Sequence, residues 1–406
     1  MKHLTINILA GLLLIGPALS CRQSDRSTPI SGDKLQIHLI TASPGEVIEI
    51  AEGTFHFRRP LSLLDVDNVT IRGQGKDRTI LSFQGQIEGA EGLFVRADGI
   101  TIEDLSIHDT TGDGIKVQDS DGVTIRRVGV TWTGGPSQEN GAYGLYPVSS
   151  TNVLVEHSVV SGASDAGIYV GQSQNVVVRH NTVFENVAGI EIENCINAEV
   201  YGNKARNNTG GILVFDLPGL KLKNGHTIRI HNNLVQENNH PNFAPPGNTV
   251  GMVPAGTGVL VMATEQVDIH QNTITGHRSV NTAIVSYLIT NLTVNDPEYN
   301  PFPSGVRVHG NIYGRGDALP DTTRAMGQML ADIFGVQVPD IVHDGILNPK
   351  LLQGGGAPDP FHRICIGVNK GGTLANLDAA SGFRAVSTDP GPYTCPGEVF
   401  SMAGGS

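Results

Sequence analysis

A glycine followed by alternating apolar residues recurs through the middle of the chain, and its spacing constrains the fold more than any other feature. The instances begin Gly92-Leu-Phe-Val-Arg, Gly114-Ile-Lys-Val-Gln, Gly144-Leu-Tyr-Pro-Val and Gly167-Ile-Tyr-Val-Gly. They continue as Gly189-Ile-Glu-Ile-Glu, Gly211-Ile-Leu-Val-Phe, Gly258-Val-Leu-Val-Met and the weaker Ala283-Ile-Val-Ser-Tyr. The steps from Gly92 to Gly114, Gly167 to Gly189 and Gly189 to Gly211 are each 22 residues. Alternation is the period of a strand with one buried face. A second strand follows each (Ile100-Thr-Ile, Val123-Thr-Ile, Val176-Val-Val, Ile228-Arg-Ile), and a third short one, such as Thr182-Val183-Phe184, completes the unit. One such unit cannot bury its own apolar face, so units stack into a solenoid with equivalent residues about 4.8 Å apart.

Beyond each second strand lies another column: Leu105, Val128, Ser158, Asn181, Asn203, Asn233 and Asn272. Four consecutive asparagines at one inward bend predict a stacked amide ladder. Composition agrees with an all-β chain rich in turns. Gly accounts for 51 of 406 residues, and charged residues are 16% against about 25% in ordinary globular domains. The formal net charge of −12 speaks against nucleic acid as a partner.

The chain resembles the right-handed, single-stranded parallel β-helix proteins, the pectin-lyase-like solenoids, over roughly residues 60–313. Within the broad group of carbohydrate-binding and sugar-hydrolase repeats, NGAYGLYPV, SDAGIYVGQS, NVAGIEIEN and NNTGGILVFDLP carry a closer likeness to a family of exported bacterial β-helix repeat proteins with no assigned activity. The strand YGLYPV also resembles the alginate C5-epimerase repeat, in which Tyr-Gly-x-Asp-Pro-His stands at this place. Here Tyr146 and Val148 replace the Asp and His, which removes both ionisable groups that the resemblance implies for proton exchange. Fold does not dictate function, so the chemistry must be read from the site.

The expected organisation is a leader over 1–20, an N-terminal cap over 31–60, coils over 61–313, and a C-terminal cap helix with a small disulfide-tied appendage over 314–406. The leader has a basic start, Lys2, and an apolar run from Leu4 to Ile15 that is too short to span a bilayer. Ala18-Leu19-Ser20-Cys21 resembles a bacterial lipobox, which implies a lipid on Cys21 and a cell-envelope location, periplasmic or at the outer membrane. Exported thiols tend to pair, and Cys365 and Cys395 are the candidates. TTRAMGQMLADIF, residues 322–334, has helical spacing and is expected to cover the far end of the coil.

Three insertions break the repeat: residues 132–142, 216–226 and 236–257. All flank the first strand of the unit, and long loops beside a regular scaffold usually carry function. They are expected to wall a trough floored by Phe94, Lys116, Tyr146, Tyr169, Glu191, Leu213 and Leu260, with Arg96 and Glu193 in the parallel outward column. Tyrosines stack on pyranose faces while carboxylates bond the ring hydroxyls, so the predicted partner is a polysaccharide, with uronate polymers among the candidates. The candidate ligand contacts are Arg96, Tyr146, Tyr169, Glu191, Glu193, Trp132 and Asp216. A lyase or epimerase would take its base from Lys116, Tyr146 or Tyr169, with a neighbour lowering its pKa, and Glu191 as a further catalytic candidate. Glu191 and Glu193 face the same way, as a hydrolase pair would, or as ligands of a Ca²⁺ ion together with Asp165 or Asp216. No other metal is expected. A third reading makes the chain a scaffold for an envelope protein partner. Cys195 aligns with Ser120, Ser150, Ser173 and Thr264 at a tight bend, a structural column, and His157, His180, His231 and His270 line an exterior face.

Overall fold

The computed structural model describes residues 1, 29–352, 358–359 and 361–397. The leader beyond Met1, and Cys21 with it, lies outside the described residues. Each coil contributes one short strand to each of three sheets, and every strand pairing is parallel. The first sheet has 11 strands, from Leu61–Leu64 to Leu374–Asn376. The second also has 11, from Val47–Glu49 to Cys365–Ile366, and the third has 10, from Gly53–His56 to Ile312–Gly314. The chain is a right-handed parallel β-helix.

Register follows the sequence columns. Ile168, Ile190, Ile212 and Val259 pair in turn across the first sheet, and Val178, Val200, Ile230 and Ile269 across the second. These side chains fill one continuous interior and are essentially inaccessible to solvent. The amide ladder forms and is longer than expected. Asn181 Nδ2 donates to Asn203 Oδ1, Asn203 to Asn233, Asn233 to Asn272, Asn272 to Asn311 and Asn311 to Asn369, each at 3.0 Å. A parallel ladder runs Asn186, Asn208, Asn238 and ends on His277. Each Asn also donates to a main-chain carbonyl, so no buried amide is left without a partner at these bends.

Helix α1, Leu35–Thr41, lays Leu35 and Leu39 over the N-terminal end of the core. The coil overruns both boundaries expected from sequence. Pairing begins at Val47, inside the segment read as a cap. It continues beyond 313, through Ile341–His343 and Cys365–Ile366 to Leu374–Asn376. The tail therefore adds strands to the solenoid, and Cys365, sitting on one of them, is bonded to Cys395 with 5.6 Å between Cα atoms. Helix α2, Ala325–Phe334, does not cover the end of the coil. Its Leu330, Met326 and Met329 pack on the outer face of the first sheet, with Leu213, Phe215 and Leu260. Those outward residues are themselves apolar, and a sheet apolar on both faces must be covered on both.

Candidate active site

The outer face of the first sheet is open over one half and covered over the other. Phe94, Lys116 and Tyr146 are half-buried and Arg96 is exposed. Farther along the same columns, Tyr169, Glu191, Glu193, Leu213, Phe215, Leu260 and Met262 are all buried. The cover is the segment 243–253, helix α2 and a fourth long excursion after Val285. That excursion was missed in the repeat analysis, although the 20 residues between Val285 and Val306 contain no repeat strand. Its Tyr299 hydroxyl donates to the Asp216 carbonyl, and Lys223 of the 216–226 loop pairs with its Asp296 at 3.0 Å. The continuous trough from Phe94 to Leu260 is thus corrected to a shorter open surface that stops at Tyr169.

Three tyrosine rings gather at that stop. Tyr143 and Tyr146 come from one strand, Tyr143–Val148, and Tyr169 from the next, Ala166–Gly171. Ring centroids lie 4.5 Å apart for Tyr143–Tyr146 and Tyr143–Tyr169, and 5.0 Å for Tyr146–Tyr169. Lys116 Nζ stands 5.0 Å from the Tyr146 ring centre, within cation–π range. Sequence reading missed Tyr143. Its register column is Ala166, Ala188, Gly210 and Thr257, and one aromatic among small residues was the available signal.

Behind the rings lies a buried acidic group. Tyr169 donates its hydroxyl to Glu193 Oε1 at 2.7 Å, and the Glu193 and Glu191 carboxyls hydrogen-bond each other. Asp165 accepts from Asn248 Nδ2 at 3.0 Å, which ties the covering loop to the cluster. Burial first, then the neighbouring carboxylates, pushes Asp165 up to about 7 and holds Glu191 well above the usual carboxylate range. Burial likewise raises Glu193, against the opposing pull of Tyr169. One Glu191 oxygen, Oε2, has no partner. At the mouth, Asp113 accepts from the Tyr143 N–H at 3.3 Å, and burial lifts it to about 6 in spite of the Lys116 charge.

These shifts correct two expectations. No tyrosine here is a ready base: burial and the acidic neighbours favour the neutral phenol, pushing Tyr146 up to about 12 and Tyr143 and Tyr169 further. Glu191 and Glu193 are buried beneath the cover, away from the open surface on which a sugar ring would lie. The carboxyls are engaged with one another and with Tyr169, and among the described residues no three His, Cys, Asp or Glu are gathered as metal ligands.

The remaining candidates are placed elsewhere. Trp132 is 6% exposed, and its indole N–H donates to the Thr110 carbonyl at 2.7 Å, so it anchors the 132–142 loop to the coil. Asp216 is fully buried and accepts from the Gly225 N–H, closing its own loop. Arg96 is paired with Asp65 at 3.2 Å on the open half. Cys195 is buried in the serine column, its thiol pushed up to about 12 by burial, and it reaches no substrate surface. On the second sheet His157, His180, Tyr201, His231, His270 and His309 form a row of rings with centroids 4.9–5.6 Å apart, stacked except where His180 meets Tyr201 edge-on.

What remains is a half-open site with the Lys116 cation, neutral phenols and carboxyls whose protonated form is favoured by burial. Such groups donate hydrogen bonds and stack, and they suit a polyol that carries an occasional negative charge.

A family model described as right handed beta helix region matches residues 91–274. No curated protein matches the sequence. Among solved structures the chain is similar to the A-module of a mannuronan C-5 epimerase of Azotobacter vinelandii, at 16% identity and a TM-score of 0.47, covering 85% of this chain and 90% of that one. It is also similar to an alginate lyase of a Paenibacillus species, at 16% identity and TM-score 0.44 over 71% of this chain and 94% of that one. An endopolygalacturonase of Stereum purpureum aligns at 13% identity and TM-score 0.45 over 70% and 96%. At these values the likeness concerns the fold alone.

Proposed function

We propose that this chain binds a sugar polymer on the open half of the first sheet, with one end of the bound stretch against Tyr146 and Tyr143. The observation that carries this reading is the cluster of three tyrosines beside Lys116 at the point where the floor passes under cover. A pyranose face stacks on the accessible ring surface of Tyr146 and Tyr143, and Lys116 receives a uronate carboxylate. Phe94 and Arg96 extend the surface toward α1. Calorimetry with oligosaccharides of alginate, of polygalacturonate and of a neutral glucan tests it. Wild type is expected to bind a uronate oligomer, with Tyr146→Ala weakening it about tenfold or more and Lys116→Ala abolishing the preference over glucan. Absence of binding to all three, or unchanged affinity in both Tyr146→Ala and Lys116→Ala, rejects the reading.

A second reading, a uronate lyase or epimerase, is favoured by Asp113. It sits beside Lys116 and is shifted toward the working range of an acid–base catalyst. Deuterium uptake at C5, or a new unsaturated end absorbing at about 235 nm, that disappears in Asp113→Asn would support it. Silence on alginate and pectin would remove it. Export and lipid attachment at Cys21 belong to the same proposal and are checked by fatty-acid labelling of wild type against Cys21→Ser. An envelope protein partner would be recovered by cross-linking in membranes.

A further inference from the structure

On the covered half of the same sheet, an apolar cleft of about 970 Å³ opens between helix α2, the segment 244–253 and the turn 288–292. Its floor is made of the outward residues Phe215, Leu260, Met262 and Val285. The chain has six methionines, and four of them, Met252, Met262, Met326 and Met329, line this cleft. Methionine is flexible and polarisable, and surfaces that adapt to variable apolar ligands use it heavily. At the rim Met252, Leu288, Leu292 and Phe383 are exposed to solvent. The volume lies in the range of small-ligand sites.

Among the described residues one charged side chain lines the cleft: Arg324, half-buried at the start of α2. Its Nε donates to the Gly251 carbonyl at 2.7 Å, and its terminal nitrogens reach the carbonyls of Asn242 and Thr323, each at 3.3 Å. Neutral oxygens fix the guanidinium in place, and among the described residues no carboxylate lies within ion-pair distance of it. The nearby Asp321 carboxylate is occupied by the N–H of Ala255 and the N–H and hydroxyl of Thr323. A fixed cation without a counter-ion, at the edge of a methionine-lined cleft on an acidic protein, complements one kind of molecule: a single apolar chain with one carboxylate head.

We propose that the cleft binds a fatty acid, its tail over Met262, Met326 and Met329 and its head on Arg324. This goes beyond sugar binding and involves none of the residues of the tyrosine site. Calorimetry and native mass spectrometry of the full chain with dodecanoate, decanoate and dodecanol test it. One dodecanoate per chain is expected, with affinity falling about fourfold for each methylene removed. Arg324→Gln should weaken dodecanoate about tenfold and leave dodecanol unchanged. Met329→Asp should abolish both, and the rim variant Leu292→Asp provides the same readout if Met329→Asp does not fold. Tyr146→Ala should leave dodecanoate binding unaltered. The proposal is overturned by the absence of saturable binding, or by an equal effect of Arg324→Gln on acid and alcohol. A dimer in light scattering that dissociates in Leu288→Asp would also overturn it, because the cleft would then be an interface between copies.

Discussion

Lys116 and Leu213 occupy the same outward column of the same sheet, four strands apart, yet one is half-open to solvent and the other fully buried. The inward neighbours of the two, Val117 and Val214, are both buried aliphatics in the one core. The coil is therefore uniform inside and divided outside. From Phe94 to Tyr146 the outer residues mix aromatic, cationic and amide groups. From Leu213 to Ala283 they are apolar and roofed by α2 and the long excursions. The acids Asp165, Glu191 and Glu193 mark the border. All three are buried under the roof, Glu193 accepting from the Tyr169 hydroxyl and Asp165 from Asn248 of the covering segment. Outer polarity, and not the repeat, decides which half can meet a soluble ligand.

Substitution at the two ends of the column probes this division most strongly. Leu213→Asp places a carboxylate under the roof and is expected to cost more than about 4 kcal/mol in denaturant unfolding, enough to loosen α2 or prevent folding. A cost within about 1 kcal/mol would mean that the roof is not seated there. The border acids should show in the pH dependence of stability. Asp165 and Glu191 have folded-state pKa values raised above the unfolded ones. Between about pH 4 and 7 the native state thus holds protons that the unfolded chain has released. The stability these two acids contribute should be fully present below about pH 4 and be lost as pH rises through about 7. Glu191→Gln should flatten that fall in melts between pH 5 and 8, and an unchanged slope would show that these acids are ionised and solvated. The smallest effect belongs to the open half: Lys116→Ala should alter stability by less than about 0.5 kcal/mol while changing uronate binding.

Much of the fold was legible because stacking in register forces one residue type into each column. The Gly-Ile-x-Val strands, the asparagines at one bend and the serines at another all follow from that translation. The ladder's last rungs, Asn311 and Asn369, were not legible, since they lie beyond the long excursion where the 22-residue step is lost. The site was only partly legible. Alternation placed Lys116, Tyr146, Tyr169 and Glu191 on one outer column, as found. It said nothing about cover, so Tyr169 and Glu191 were read as floor when they lie beneath loops. Trp132 stands among the candidate ligand contacts because a lone Trp in a loop carries no sign of the Thr110 carbonyl that holds it.

By itself the sequence determined the solenoid, its columns and the faces that alternate along each strand, because those depend on short-range periodicity repeated many times. The tertiary structure alone decided where the open surface ends, which carboxyls meet, and that α2 roofs the side of the coil instead of its end. Such contacts join segments tens of residues apart, as Asn248 to Asp165 or Tyr299 to Asp216, and no repeat spacing encodes them.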